Sequence, residues 1–191
     1  MLKLKYEWHI KNFFTLAAIT IFLTVSMGIL ADHASAQNLS FGKRVWGQGK
    51  ANCPRCHAWS GLGGVGEDDR APQGANLRDT FFEREMLEEV IKCGLPGTEM
   101  PFYSRRAWEG DNKCFGMTGK EAGNLKPFMA ERNLIQREID ALLDYMFAKV
   151  IGRGEISVEE CEDYFSPGAG RCQAPFYRTE AEIAAHGGGG A

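Results

Sequence analysis

Five consecutive residues, Cys53-Pro54-Arg55-Cys56-His57, bring two thiols and an imidazole within about one helical turn. Two cysteines at this spacing, followed at once by histidine, form the attachment sequence for c-type haem. Cys53 and Cys56 can each form a thioether with a haem vinyl group, and His57 is then carried beneath the porphyrin to ligate the iron. The alternatives are a zinc half-site, a thioredoxin-like redox pair and an ordinary disulfide. Zinc would need a second ligand pair at similar spacing, and the other four cysteines are spread too widely to supply one.

A second axial ligand is expected to be a methionine, because the only other histidine after residue 36 is His186 in a Gly-rich tail. Met100 is the best placed, since Gly97 and Pro101 hold it in a constrained turn. Four further methionines are weaker candidates: Met86, Met146, Met117 and Met129. The first two lie on predicted apolar helix faces, where methionine usually fills core space. Met117 lies in a loop and stays an alternative.

Residues 1–36 have the pattern of an export signal. Three lysines accompany an apolar run of 18 residues, and Ala34-Ser35-Ala36 supplies a small-residue cleavage pattern, so the mature chain is expected to begin at Gln37. The alternative is a retained membrane anchor, because the apolar run is near the lower limit for spanning a bilayer. Cleavage would change the net charge from −3 to −4, because it removes three lysines and two acidic residues. The predicted location is the periplasm.

The spacing of apolar residues predicts helices and no long strand. A short helix is expected within residues 38–52, although its three glycines weaken the pattern, and residues 60–74 have the composition of a loop. Thr80 with Glu83 predicts the start of an amphipathic helix that ends at Gly94. The apolar positions of that helix are Phe82, Met86, Leu87, Val90 and Ile91.

The strongest predicted helix begins at Asn133, with Gln136 three residues later, and ends at Gly152 and Gly154. Its apolar face consists of Ile135, Ile139, Leu142, Leu143, Met146 and Val150. The predicted organisation is therefore one domain over residues 37–152 with an irregular insertion at 103–132, followed by a C-terminal extension at 153–191 with a flexible Gly-rich end.

The order of these parts resembles class I c-type cytochromes over roughly residues 40–150. The resemblance implies an all-α fold of three to five helices around one covalently bound haem c. Ala71-Pro72 with Asn76-Leu77 looks like the family's Gly-Pro-x-Leu region, which implies that the Pro72 carbonyl accepts the His57 ring proton. Residues 97–101 resemble the family's ligand loop, which implies Met100 as the second axial ligand. The insertion and the extension lie outside the resemblance.

Four cysteines outside the motif, an even number in an exported chain, predict two disulfides. A bond between Cys93 and Cys114 would close the Met100 segment into a ring. For Cys161 and Cys172, local pairing around a Pro/Gly turn is the simplest choice. Sequence alone leaves the two crossed connectivities open.

Histidine and methionine ligation together would saturate the iron and leave no position for a substrate. This favours a periplasmic monohaem cytochrome that passes single electrons between redox proteins, and not an enzyme. The alternative is a dedicated cytochrome subunit of a periplasmic dehydrogenase or other oxidoreductase complex; a haem sensor or catalytic haem protein is a third reading. The acidic mature chain has no run of Lys or Arg, which gives no support to a nucleic-acid partner. Membrane contact is expected only if the N-terminal segment is retained.

Overall fold

The computed structural model of the chain describes residues 37–47, 49–64, 70–173 and 177–187. The predicted export signal, residues 1–36, lies outside this set. Contacts divide the chain into two units, Met1–Asn38 and Leu39–Ala191, and the fold below is that of the second unit. Its described residues form a mostly helical domain, which confirms the expected class. None of the helices in the described ranges is long and apolar enough to cross a bilayer.

The described residues contain seven α-helices: α1 (37–46), α2 (Pro54–His57), α3 (Arg84–Cys93), α4 (Gly119–Ala122), α5 (Gln136–Lys149), α6 (Val158–Tyr164) and α7 (Glu180–Gly187). An antiparallel ribbon of β1 (Lys113–Cys114) and β2 (Met117–Thr118) and two 3-10 turns, Gly123–Leu125 and Gly170–Cys172, complete the order. The expectation of three to five helices was too low. The additional short helices lie in the insertion and the extension, where no apolar period marks them.

Helices α1 and α5 cross at Gly42. A Cβ atom on Gly42 would lie 2.0 Å from the Ala141 carbonyl oxygen and 2.6 Å from Tyr145 Cβ, so only glycine lets the two helices approach this closely. Beside the crossing, the centroids of the Trp46 and Tyr145 rings are 6.3 Å apart. A glycine that weakens the helical pattern in the sequence is therefore the residue that joins the two helices.

The main core contains the facing sides of α3 and α5. Leu87 and Ile91, one turn apart on α3, share a buried cluster with the predicted α5 positions Ile139, Leu142, Leu143, Met146 and Val150. Two residues that were predicted to lie on buried helix faces are exposed. Met86 is 54% exposed because it lies off the stripe formed by Leu87 and Ile91, and Ile135 is 61% exposed because it precedes its helix.

Helix α3 begins later than predicted. The Thr80 hydroxyl donates to the Leu77 carbonyl at 2.7 Å and does not cap the helix, which starts after Glu83. The predicted end at Gly94 is confirmed, with φ at +66°. A Cβ on Gly94 would lie 2.6 Å from the Met100 carbonyl oxygen, so glycine here lets the end of α3 pass close to the methionine loop.

Helix α5 begins at Gln136 and not directly after Asn133, and a side chain of its first turn bonds the N–H group of the preceding residue, Ile135. The buried Glu138 carboxylate accepts the Ile135 N–H at 3.1 Å and pairs with the Lys50 ammonium at 2.7 Å. Burial alone would raise the pKa of Glu138, but these two partners outweigh it and hold that pKa below its usual value. Ile135 has no side-chain oxygen, so the reciprocal half of a capping box is missing.

The insertion 103–132 folds around a small second core. The disulfide between Cys93 and Cys114, with Cα atoms 5.7 Å apart, lies at its centre and is the pairing predicted from the sequence. The Trp108 indole N–H donates to the Cys93 carbonyl at 2.8 Å, and the Glu89 carboxylate accepts the Phe115 N–H at 2.7 Å. These contacts anchor the insertion to the C-terminal half of α3.

The described part of the extension packs back onto the segment that follows the attachment motif. Cys161 and Cys172 form the second predicted disulfide, with Cα atoms 5.5 Å apart. The centroid of the Trp59 ring lies 5.1 Å from that of Tyr164 and 5.2 Å from that of Phe165. The extension thus contacts a residue only two positions after the motif.

Candidate functional site

Helix α2 carries the attachment motif on a single turn. Pro54 stands in the first turn, where its missing N–H costs nothing and its fixed φ suits a helix start. The N–H groups of Cys56 and His57 both donate to the Cys53 carbonyl, at 3.1 and 2.9 Å. The two thiols and the imidazole therefore lie within one turn of backbone.

The end of α1 holds the motif from both sides. The Cys53 N–H donates to the Trp46 carbonyl at 3.0 Å, and the Trp46 indole N–H donates to the Trp59 carbonyl at 3.1 Å. Trp46 is fully buried, so its indole packs against the core as well as bonding to this segment. Trp46 therefore anchors the motif to α1, and the crossing at Gly42 links α1 to α5.

In the described part of the chain, neither Cys53 nor Cys56 belongs to a disulfide. Burial raises the pKa of the Cys53 thiol to about 12, so this group is protonated at neutral pH. In thioredoxin-like pairs the attacking thiol has a lowered pKa, because the thiolate is the nucleophile. The surroundings of Cys53 therefore disfavour the redox-pair alternative.

A backbone carbonyl orients the ring of His57. Its Nδ1 lies 2.9 Å from the Ala75 carbonyl oxygen, and because a carbonyl can only accept, Nδ1 carries the proton. Burial lowers the pKa of His57, and the bond to Ala75 offsets only part of that shift, which favours the neutral ring. The lone pair of Nε2 is then the one that a metal would take, as in histidine ligands whose other N–H is bonded to a carbonyl.

The acceptor for His57 is Ala75, whereas the resemblance implied Pro72, so that assignment is corrected. Pro72 is exposed and lies three residues earlier. A Cβ on Gly74 would lie 2.6 Å from His57 Nδ1, so the bare backbone at Gly74 passes directly over the ring and the next carbonyl becomes the acceptor. Gly74-Ala75-Asn76-Leu77 thus fits the Gly-Pro-x-Leu pattern with alanine in place of proline.

The loop at residues 95–102 presents Met100. The Gly97 N–H donates to the Leu125 carbonyl at 2.8 Å, with φ at +75° at the glycine, and the Thr98 hydroxyl accepts the Met100 N–H at 3.1 Å. The Met100 side chain packs against the same core cluster as Cys53. The structure thereby brings the methionine loop and the attachment turn onto one core.

Three of the other methionine candidates lie outside the cluster that Met100 and Cys53 pack against, and the fourth, Met146, is a buried member of it. Met117 packs in the second core, beside Cys114. Met146 is buried on the packing face of α5, as predicted. Met86 and Met129 are both more than half exposed, at 54% and 51%. Of the loop methionines, Met100 is the one that shares a core with Cys53.

Tyr103 joins the methionine loop to the attachment segment, and the sequence analysis missed it. Its buried hydroxyl donates to the Ala51 carbonyl at 2.7 Å. Burial raises the pKa of Tyr103, and the nearby thiols of Cys53 and Cys56 add to the rise, so the hydroxyl stays a donor. The only signal in the sequence is an aromatic ring with a polar tip shortly after a Met-Pro pair.

Arg78 is a second residue that the sequence analysis missed. It lies one position after Leu77, and its side chain is only 2% exposed. Nothing in its neighbourhood in the sequence distinguishes it from a surface arginine, because its partners lie far along the chain.

These residues fit a covalently attached haem. They offer two thiols outside any disulfide, an imidazole whose Nε2 carries the lone pair, and a thioether on the same core as the first thiol. In the ranges that the structure describes, no three His, Cys, Asp or Glu side chains form a group that could hold a metal ion.

A comparison of the chain with protein-family models, with curated proteins and with solved structures gave no match. The function proposed next rests on the residues of this chain and their geometry.

Proposed function

We propose that this protein is a monohaem c-type cytochrome that transfers single electrons between redox proteins. The observation that carries the proposal is the α2 turn, which holds Cys53, Cys56 and His57 together and in which the His57 ring is oriented by the Ala75 carbonyl. Bound through the two cysteines, haem c would supply a one-electron iron couple. The two cysteines outside any disulfide and the oriented imidazole suit covalent attachment and ligation.

The chain's own side chains would fill both axial positions. His57 donates through Nε2, with its tautomer fixed by Ala75, and the Met100 thioether is the second ligand. Two protein ligands leave no position for a substrate, and a methionine ligand raises the reduction potential relative to two histidines or water. Both effects support electron transfer over catalysis.

The predicted location is the periplasm. The disulfides Cys93–Cys114 and Cys161–Cys172 are typical of an oxidising compartment. The export signal expected in residues 1–36 would deliver the chain there.

Haem staining of the purified, denatured protein tests the proposal. The wild type should keep one haem-sized mass increment through denaturation and acid acetone, and Cys53→Ser/Cys56→Ser should lose it. Cys161→Ser/Cys172→Ser is the matched control, because it removes the same number of thiols away from the motif and should stay stained. Colour that leaves the wild-type chain in acid acetone would show that the attachment is not covalent and that the proposal is wrong.

The second candidate, a dedicated subunit of an oxidoreductase complex, is supported by an exposed apolar surface, here termed the insertion patch: Leu95, Leu125, Phe128 and Met129. The patch borders the methionine loop, because Gly97 bonds to Leu125 and Phe102 to Phe128. The insertion carries six basic and four acidic side chains, whereas residues 153–191 carry three basic and seven acidic. The matching partner surface is therefore apolar at its centre with an acidic rim.

Co-purification of an oxidoreductase in stoichiometric amount with the cytochrome tests the second candidate. The complex should be lost in Leu125→Ser/Phe128→Ser and retained in Phe81→Ser, since Phe81 is 92% exposed outside the patch. Retention in both variants would show that the partner binds outside the insertion patch, and the absence of any stoichiometric partner from the wild type would leave the freely diffusing carrier as the better function.

A further inference from the structure

The Arg78 guanidinium is the most extensively bonded buried cation in the described residues. Its N–H groups meet five backbone carbonyls and one carboxylate: those of Ser60, Lys149, Arg153, Gly154, Glu155 and Glu160. The guanidinium lies 2.6 Å from the Glu160 carboxylate and 3.0 Å from the Glu155 carbonyl oxygen. Arg78 therefore joins the segment after the motif, the end of α5 and the extension at one point.

Hydrogen bonds connect the backbone around Arg78 to the carbonyl that orients His57. The Leu77 N–H donates to the Gly61 carbonyl at 2.7 Å, next to Ser60, which accepts from the guanidinium. The Arg78 N–H donates to the Asn76 side chain at 2.9 Å. These bonds fix residues 76–78, and so they fix the carbonyl of the preceding residue, Ala75, which accepts the His57 ring proton.

We propose that Arg78 is a positioning residue for His57, and that with Glu160 it makes the C-terminal extension part of the histidine's support. Resting on the proposed function, this inference means that the extension helps to set the ligand strength of the imidazole. A hydrogen bond from the distal ring nitrogen orients a histidine ligand and increases its basicity, and partners of that kind strongly influence metal sites.

The geometry requires arginine at this position. Planar guanidinium presents five donors in a fixed fork, whereas a lysine ammonium is a compact charge that cannot reach acceptors on three segments at once. A small cavity of about 20 Å³, lined among others by Arg78, Tyr145 and Glu160, has room for about one water molecule, which could donate to only some of the acceptors that a shorter side chain would leave unpaired.

The charge of Arg78 predicts the direction in which the reduction potential should shift when Arg78 or its partner is replaced. Its partner Glu160 carries the opposite charge, and the two side chains are only 1% and 15% exposed, so solvent screens the pair weakly. Removing Glu160 leaves a buried positive charge, which disfavours ferric iron and raises the reduction potential. Removing Arg78 leaves a negative charge and lowers it. General loosening of the fold would shift both potentials in the same direction.

The experiment compares Glu160→Gln and Arg78→Gln in the full-length haem protein by redox titration. Opposite shifts are expected, and equal or same-direction shifts would overturn the inference. Asp144→Asn is the matched control: its carboxylate pairs with Arg84 at 2.7 Å on the exposed surface, outside the set of Arg78 partners, so its loss should leave the potential unchanged. Each variant is first stained for haem. Failure of the wild type to stain would refute the proposed function, whereas stained variants with identical potentials would refute this inference alone.

A second measurement covers variants that fold poorly. In Arg78→Lys, which keeps the charge, the His57 Nδ1 proton observed by NMR should exchange with water about tenfold faster than in the wild type, because the loop that holds Ala75 opens more often. Unchanged exchange would show that Ala75 is held without Arg78 and would overturn the inference.

Discussion

Replacing Cys93 and Cys114 together with alanine should loosen the loop that carries Met100. The disulfide joins residues 21 apart in the sequence, and the chain-entropy relation assigns a ring of that size about 3 kcal/mol. Both cysteines are buried in the second core, so lost packing adds to this value. We expect the free energy of unfolding to fall by about 3–4 kcal/mol.

The specific effect should appear at the methionine ligand. Loop 95–102 runs between the end of α3 and the insertion, and its bonds to Leu125 and Phe128 depend on the insertion staying in place. In stopped-flow mixing, cyanide or imidazole should therefore bind the variant about tenfold faster, which corresponds to about 1.4 kcal/mol of easier local opening.

The control is Cys161→Ala/Cys172→Ala. Its ring spans 11 residues and is worth about 2.8 kcal/mol, so it lowers stability by a similar amount but leaves the methionine loop intact. Ligand binding at the wild-type rate is expected. Equal acceleration in both variants would mean that general instability, and not the Cys93–Cys114 bond, governs ligand exchange. A peptide map linking Cys93 to Cys161 or Cys172 would remove the premise altogether.

Three further changes test separate parts of the structure. Met100→Ala should leave haem attached, lower the reduction potential and abolish the weak far-red sulfur-to-iron band; loss of that band in Met117→Ala instead would move the ligand to the insertion. Gly42→Ala should lower the free energy of unfolding by about 3 kcal/mol, because the added Cβ would lie 2.0 Å from a backbone oxygen. Gly49→Ala is the control, because its Cβ would have its nearest contact at 3.9 Å, and its thermal unfolding followed by circular dichroism should be nearly unchanged. Glu138→Gln should lower the free energy of unfolding by about 1–2 kcal/mol at pH 7. Because the pKa of Glu138 is depressed in the folded state, this stabilisation is complete above the unfolded pKa of about 4.3 and is lost as the pH falls through the folded-state pKa, so the urea unfolding curves of the variant and the wild type should converge in acid.

Local spacing was sufficient for much of the fold. Helix α3 and helix α5 follow from apolar residues three and four positions apart, and the end of α3 follows from Gly94, whose backbone permits conformations that other residues rarely adopt. The pairings Cys93–Cys114 and Cys161–Cys172 were also predicted, because each closes a short ring.

The residues that the sequence did not reveal act over long distances. Arg78 contacts Glu160 across most of the domain, and nothing near either residue marks the pair. Ala75 accepts the His57 proton through its backbone carbonyl, so its side chain gives no signal in the sequence. The acceptor was therefore predicted to be Pro72, three residues earlier. Met86 fits the helical period but lies at the edge of the buried stripe, whose width depends on the neighbouring helix.

The contact of Trp59 with Tyr164 and Phe165 has a consequence for the order of assembly. A protein chain is synthesised from its N-terminus to its C-terminus, and its domains fold as their residues become available. The α6 rings are synthesised long after Cys53 and Cys56, so the segment behind the motif can reach its final packing only once α6 has followed. Under the proposed function, this order leaves an interval during export in which an attachment apparatus can reach the two thiols and His57 before the extension packs against the segment behind them.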